Sequence, residues 1–191
     1  MSGSNYVIGE GSLVHKGSVF ACRAVIGKYS NIIGRLIAEG SGKLLIGDYV
    51  AVAGGLHVIT SNHKMNYPNM QITLQNRLGF SDVMDESRDV TIDHTAWIGA
   101  RVIMTPGSGI GVGSVVGAGS IVTKKIPPFA IVAGNPAKII RMRFSDQVID
   151  TLLKIKWWEW DEERMRRNRA FFELDCQKID SPSLIEDVIV S

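Results

Sequence analysis

Cysteine is scarce: 191 residues hold only Cys22 and Cys176. That excludes a disulfide scaffold and points to two free thiols in a reducing cytosol. No apolar run approaches the roughly 20 residues a membrane-crossing helix needs. Met1-Ser-Gly-Ser-Asn5 has no basic segment leading into an apolar one, so neither membrane insertion nor a secretory leader is expected. Charge of one sign is not in excess either. Lys and Arg number 21 against 19 Asp and Glu, a net of +2, which argues against a general nucleic-acid binder. His, Cys and Asp show no metal-ligand spacing, so no metal is expected. No Walker-type glycine loop is present, and Gly111 to Gly117 lacks the strand-then-helix flanks of a dinucleotide fingerprint. The remaining reading is a cytoplasmic chain long enough to bury one core.

What the sequence does have is a period of six. Ile92, Ile98, Met104, Ile110, Val116 and Val122 recur without a miss, with glycine following at 99, 111 and 117 and serine four places on at 108, 114 and 120. A helix repeats every 3.6 residues and a plain strand every two. A strict six fits a solenoid whose short strands turn a corner each hexad, one large side chain per rung facing inward. The same period opens the chain at Ile8, Val14, Phe20, Ile26 and Ile32, then resumes in a shifted register at Ile46, Val52 and Val58. The offset predicts a small insertion at Glu39-Gly-Ser-Gly-Lys43.

Between residues 60 and 89 the sixes vanish, and the sequence reads as an irregular excursion from the coil of a kind that tends to be functional. After Lys124-Lys-Ile-Pro-Pro-Phe129 the spacing predicts one extended piece over Ala130 to Arg141. The helical spacing of Phe144, Val148, Ile149, Leu152 and Leu153, with Ser145 or Asp146 as N-cap, then predicts a helix closing the open end of the stack. A second short helix is expected from Asp161, with Glu162/Arg166 and Glu163/Arg167 as i,i+4 pairs. The domain reading is a solenoid over 6–141, a helical cap over 142–175 and a tail over 176–191 of no assigned role.

Among the histidines, His15, His57 and His94 sit inside hexads and read as wall or corner residues. His63 alone lies in the excursion, between Asn62 and Lys64. An imidazole titrates near pH 6.5, so it can take the proton of a hydroxyl that attacks a thioester.

The hexads, with Gly134-Asn-Pro-Ala-Lys138 and the tail Arg143 to Trp160 ending in Trp157-Trp-Glu-Trp160, resemble the hexapeptide-repeat acetyltransferases. The likeness covers roughly residues 8–172 and points to the xenobiotic and polysaccharide O-acetyltransferase branch. It implies a left-handed parallel β-helix, a handedness that spacing alone does not give, since ordinary parallel crossovers are right-handed. It implies a homotrimer with active sites between subunits, acetyl-CoA as donor and His63 as general base. By position it places the donor on Ala100, Ala118, Thr123 and Lys124, with Lys125, Asn135, Pro136 and Lys138 behind them. Asn62, Tyr67 and Trp97 would face the acceptor. The hexads start at Ile8, where the antibiotic enzymes carry a longer non-repeating segment, so the expectation leans to a sugar or cell-surface polysaccharide precursor. A streptogramin- or chloramphenicol-type drug is the alternative, and a non-catalytic sugar-binding scaffold the alternative of another class.

Overall fold

The structure, a computed structural model, describes residues 5–84, 86–179 and 181–190. Its strands are short because each hexad spends two to four residues on a flat face and the rest on a corner. The first coil is β1 (Tyr6–Ile8), β2 (Leu13–Val14) and β3 (Val19–Phe20), and the second β4 (Arg23–Ile26), β5 (Asn31–Ile32) and β6 (Leu36–Glu39). β7 (Lys43–Ile46), β8 (Ala51–Val52) and β9 (Leu56–Ile59) make the third. Helix α1 (Ile72–Leu78) lies in the excursion before the fourth coil, β10 (Val90–Ile92), β11 (Trp97–Ile98) and β12 (Ile103–Met104). β13 (Gly109–Ile110), β14 (Val115–Val116) and β15 (Ile121–Val122) form the fifth, and β16 (Lys125–Ile126) and β17 (Ala130–Gly134) begin a sixth.

Stacking the coils yields three parallel sheets. Face A runs β1-β4-β7-β10-β13-β16, face B β2-β5-β8-β11-β14-β17, and face C β3-β6-β9-β12-β15. The result is the left-handed parallel β-helix expected from the family likeness. Register is fixed by the inward aliphatics: Ile92 pairs with Ile110, Ile98 with Val116 and Met104 with Val122, all essentially buried. A slip of one residue would turn each of them out to solvent. Close coil spacing needs glycine after three of them, Ile98, Ile110 and Val116. A Cβ on Gly99 would lie 2.6 Å from the Ala118 nitrogen. The corner serines are buried and satisfied, Ser108 Oγ donating to Thr105 O, Ser114 Oγ to Pro127 O and Ser120 Oγ to Gly117 O. The first coil is the open end, its inward Ile8 39% exposed and its inward Val14 and Phe20 only half-buried.

Three sequence expectations change. The piece after Phe129 is not one strand. β17 reverses through a cis Asn135–Pro136 bond into β18 (Ala137–Met142), which returns antiparallel along it. The excursion is not structureless, since Gln71 caps α1 by accepting from Leu74 N and Gly79 ends it at φ 68°. Nor do the C-terminal helices close the end of the stack. They lie along the corner between faces A and B: α2 (Asp146–Ile155), a 3₁₀ turn (Trp157–Glu159), α3 (Glu162–Arg167), α4 (Arg169–Phe172) and α5 (Ser183–Asp187). Along that corner Tyr29 Oη donates to Glu162 at 3.2 Å, Tyr49 packs on Trp157, His94 on Trp158 and Phe129 on Phe144. Aromatic side chains offered by successive coils supply the apolar strip for the tryptophan turn after α2, and Phe129 joins the buried Val148, Ile149 and Leu152 of the amphipathic α2. Ser145 is the N-cap of α2, accepting from Val148 N, and Asp161 that of α3. The pairs Glu162–Arg166 and Glu163–Arg167 form at 3.1 and 3.9 Å. Among the described residues no helix is long and apolar enough to cross a membrane.

Candidate active site

The excursion leaves the coil at the corner between faces C and A. Buried Thr60 anchors it, donating its N–H to Glu39 O and accepting from Arg88 N, while Thr60 Oγ1 bonds Glu39 O and Gly42 N. Its two arms meet where His63 bridges Met84 antiparallel and Lys64 N donates to Val83 O. Val83 is fully buried. This short ladder holds the His63 backbone just outside the solenoid, with the side chains of Asn62 and His63 exposed. Beyond them Met65, Tyr67, Met70, Leu74, Leu78 and Phe80 are all exposed, so the excursion presents an apolar surface.

The remaining predicted positions fall on two corners. At the corner between B and C, Ala100 and Ala118 occupy equivalent places in successive coils, with the Asn135–Pro136 turn above them. Gly99 N donates to Val116 O and Gly117 N to Val132 O, and Gly119 N to Ala100 O. The Ala100 and Ala118 N–H groups have no such partner among the described residues. Backbone donors flanked by side chains this small suit the carbonyls of an extended pantetheine chain. Gly134 N bonds Ser120 Oγ at 3.1 Å, fixing the turn to the coil below. Lys138 lies on β18 opposite Ala133. Trp97 stands on the outer face of β11, 58% exposed. Thr123 and Lys124 lie instead at the corner between C and A, and Lys125 opens β16. Within one chain, face C therefore separates His63 from the Ala100–Ala118 corner.

The other histidines hold structural places. His57 Nε2 lies 2.9 Å from Glu39 Oε1 on the outer face C. His94 Nδ1 accepts from Asp48 N at 3.0 Å while its ring stacks on Trp158. His15 Nδ1 accepts from Gly17 N. Burial raises the pKa of Asp93, with the neighbouring His94 and Lys125 pulling it back. Both cysteines are free, and burial raises the pKa of each thiol. Among the described residues no group of His, Cys, Asp and Glu is placed to hold a metal ion.

No protein-family model matches the chain. Individual proteins do. The chloramphenicol acetyltransferase of Agrobacterium fabrum is 34% identical over 164 residues, covering 74% of this chain and 78% of that protein. The chloramphenicol acetyltransferase of Klebsiella aerogenes is 35% identical over 132 residues, or 65% of this chain, which spans only 63% of its length. Among solved structures, a hexapeptide-repeat acetyltransferase of Vibrio cholerae complexed with acetyl-CoA has TM-score 0.59 and 26% identity, covering 72% of this chain and 70% of that one. A galactoside acetyltransferase in complex with coenzyme A has TM-score 0.56 and 29% identity, covering 72% and 64%. With the six-residue repeat and the stacked faces already in place, these likenesses make the chain a member of the hexapeptide-repeat acetyltransferases, in the branch that holds the chloramphenicol acetyltransferases.

Proposed function

We propose that this chain is an O-acetyltransferase that moves an acetyl group from acetyl-CoA to a hydroxyl of a small acceptor, with His63 as general base. The observation that carries the reading is the placement of His63. It is the histidine on the excursion, held by a two-armed ladder and exposed beside an apolar surface, while the other three serve the solenoid wall and corners. The acetyl-CoA and coenzyme A in the two similar structures support the donor. The pantetheine lies along the corner of Ala100 and Ala118, with Asn135, Pro136 and Lys138 toward its nucleotide end. Thr123, Lys124 and Lys125, on the His63 side of face C, reach it from the neighbouring subunit. Because face C separates that corner from His63, the reading places the active site between subunits of a homotrimer. The excursion of one subunit meets the donor corner of the next.

The chemistry then runs in two steps. His63 takes the acceptor's hydroxyl proton as the oxygen attacks the thioester carbonyl, and a backbone N–H stabilises the tetrahedral oxyanion. Collapse breaks the C–S bond, and the imidazolium returns its proton to the departing thiolate. Similarity to chloramphenicol acetyltransferases, with the apolar surface of the excursion, favours a drug-like hydroxyl compound as acceptor. A sugar or cell-surface polysaccharide precursor is the second reading, favoured by the galactoside acetyltransferase likeness.

Thiol release from acetyl-CoA against chloramphenicol and a streptogramin on one side, and deoxy, amino and nucleotide sugars on the other, separates the two. His63→Ala should lower kcat by about 10²–10⁴-fold with acetyl-CoA binding retained. Unchanged turnover in that variant would sink the base assignment, and a parent that binds acetyl-CoA yet turns over no hydroxyl acceptor would leave a non-catalytic binding scaffold.

A further inference from the structure

The corner between faces A and B carries a column of register-equivalent residues: Gly11, Tyr29, Tyr49, Thr95, Gly113 and Phe129. All adopt left-handed φ values between 52 and 68°. Tyr29 and Tyr49 stack at 5.6 Å, and Trp157 extends the row at 5.5 Å. The aromatic run stops at Thr95 and Gly113 and resumes at Phe129. Where it stops, a cavity of about 550 Å³ opens between the corner and the C-terminal helices, walled by Phe144, Trp157, Phe171 and Phe172. That is within the roughly 300–1,000 Å³ of small-molecule sites. A second cavity of about 230 Å³ shares Arg143, Phe144, Cys176 and Gln177 with it.

Arg143 is the charge in this space. Its Nη1 donates to Gly113 O at 2.6 Å, and its guanidinium carbon sits 4.7 Å from the Phe144 ring centre and 5.7 Å from that of Phe129. Among the described residues no carboxylate pairs with it. Asp175, on the same cavity wall, is committed to Lys178 Nζ at 3.0 Å and to Gln177 N at 3.1 Å. Guanidinium has five N–H donors in a planar fork that matches a carboxylate, and here most remain unspent. A cation withdrawn from water without a counter-ion is costly. An anion entering beside it would recover that cost, and the aromatic walls would take a flat apolar body.

We propose that the cavity under the C-terminal helices binds a small carboxylate on a flat aromatic body, its oxygens on Arg143 and its rings in the gap left by Thr95. The site stands apart from the donor corner and from His63, and does not depend on the acceptor. Cys176 lines it and reports on it, while Cys22, 4% exposed in the solenoid core, is the internal control.

The test is iodoacetamide alkylation of the full chain, followed by mass spectrometry, with 1-naphthoate as probe. At ten times its Kd the probe should slow Cys176 modification by about tenfold, whereas the neutral 1-naphthamide should not. Arg143→Gln should abolish protection. Should that variant lose its near-UV circular dichroism, Thr95→Tyr decides instead: it continues the aromatic column, fills the gap and leaves Arg143 in place. Protection persisting in Thr95→Tyr overturns the proposal. So does equal protection by the amide, none by the acid, or protection by acetyl-CoA, which would make the cavity part of the donor site.

Discussion

Asn168 shows how one residue can tie down a distant stretch. Its side chain is fully buried, and its Nδ2 donates to Arg164 O at 2.8 Å and Val190 O at 2.9 Å while Oδ1 accepts from Val190 N at 2.6 Å. Ile185, also fully buried, is the other anchor of the C-terminal stretch, packing into the core shared by Phe129, Val148 and Trp160. Removing the amide takes the partners from the partly buried backbone groups of Arg164 and Val190, so Asn168→Ala should cost about 1–3 kcal/mol. Urea denaturation measures that loss. Limited trypsin digestion should show faster cleavage after Lys178 in the variant, because the segment beyond it has lost its tether. His63 lies at the opposite extreme, an exposed side chain on a braced backbone, so His63→Ala should leave the urea midpoint within experimental error while turnover falls. That contrast separates a residue kept for chemistry from one kept for architecture.

At the scale of elements, the excursion is an addition to a coil that closes without it. The same corner is crossed by Ala21–Cys22 between β3 and β4 and by Gly40–Gly42 between β6 and β7. Replacing residues 62–87 by a short Gly-Ser turn should therefore keep the β-helix circular dichroism and the cooperative melt. Loop-closure entropy changes slowly with length. Turnover should vanish with His63. Loss of the β-helix signal would show instead that the excursion holds the third and fourth coils together. The solenoid core was legible in the sequence because each inward rung is a local choice repeated every six residues. The starts of α2 and α3 were legible for the same reason: Ser145, one of two N-cap candidates, and Asp161, where the second helix was expected to begin, each act within one turn. Other features depend on residues far apart. The docking of the helices follows from Tyr29, Tyr49 and Phe129, which share one corner only when coils of 20, 46, 18 and 16 residues align them. Helix α1 escaped notice because seven residues from Ile72 to Leu78 bury only Gln75, leaving no apolar stripe to read. Arg143 looked like one more basic residue after the repeat until Gly113 and two phenyl rings came around it.

For the whole molecule, the two halves of the proposed site lie at opposite edges of face C. If the excursion of one subunit reaches the donor corner of the next around a threefold axis, each subunit must turn face C toward that axis. The outer side of face C suits such burial. Val19, Ile37, His57, Ile103 and Ile121 align in register across its five strands, four of the five aliphatic. Val19 is 42% exposed and the others are half-buried. Ile103 is paired directly with His57 and Ile121, away from both ends of the row. Ile103→Asp would set a carboxylate in a packed interface, and three copies would meet near the axis, a desolvated like-charge cluster. Size-exclusion chromatography with light scattering should report about 63 kDa for the parent, three times the 20.9 kDa chain, and a single-chain mass for the variant. The isolated variant chain should keep its β-helix spectrum, because the inward rungs beneath Ile103 are untouched. It should lose turnover even though His63, Ala100 and Ala118 are all present, since no chain brings them together alone. A variant that is monomeric yet fully active would place the complete site within one chain and overturn the shared-site reading. A parent that runs as a monomer would do the same without any substitution.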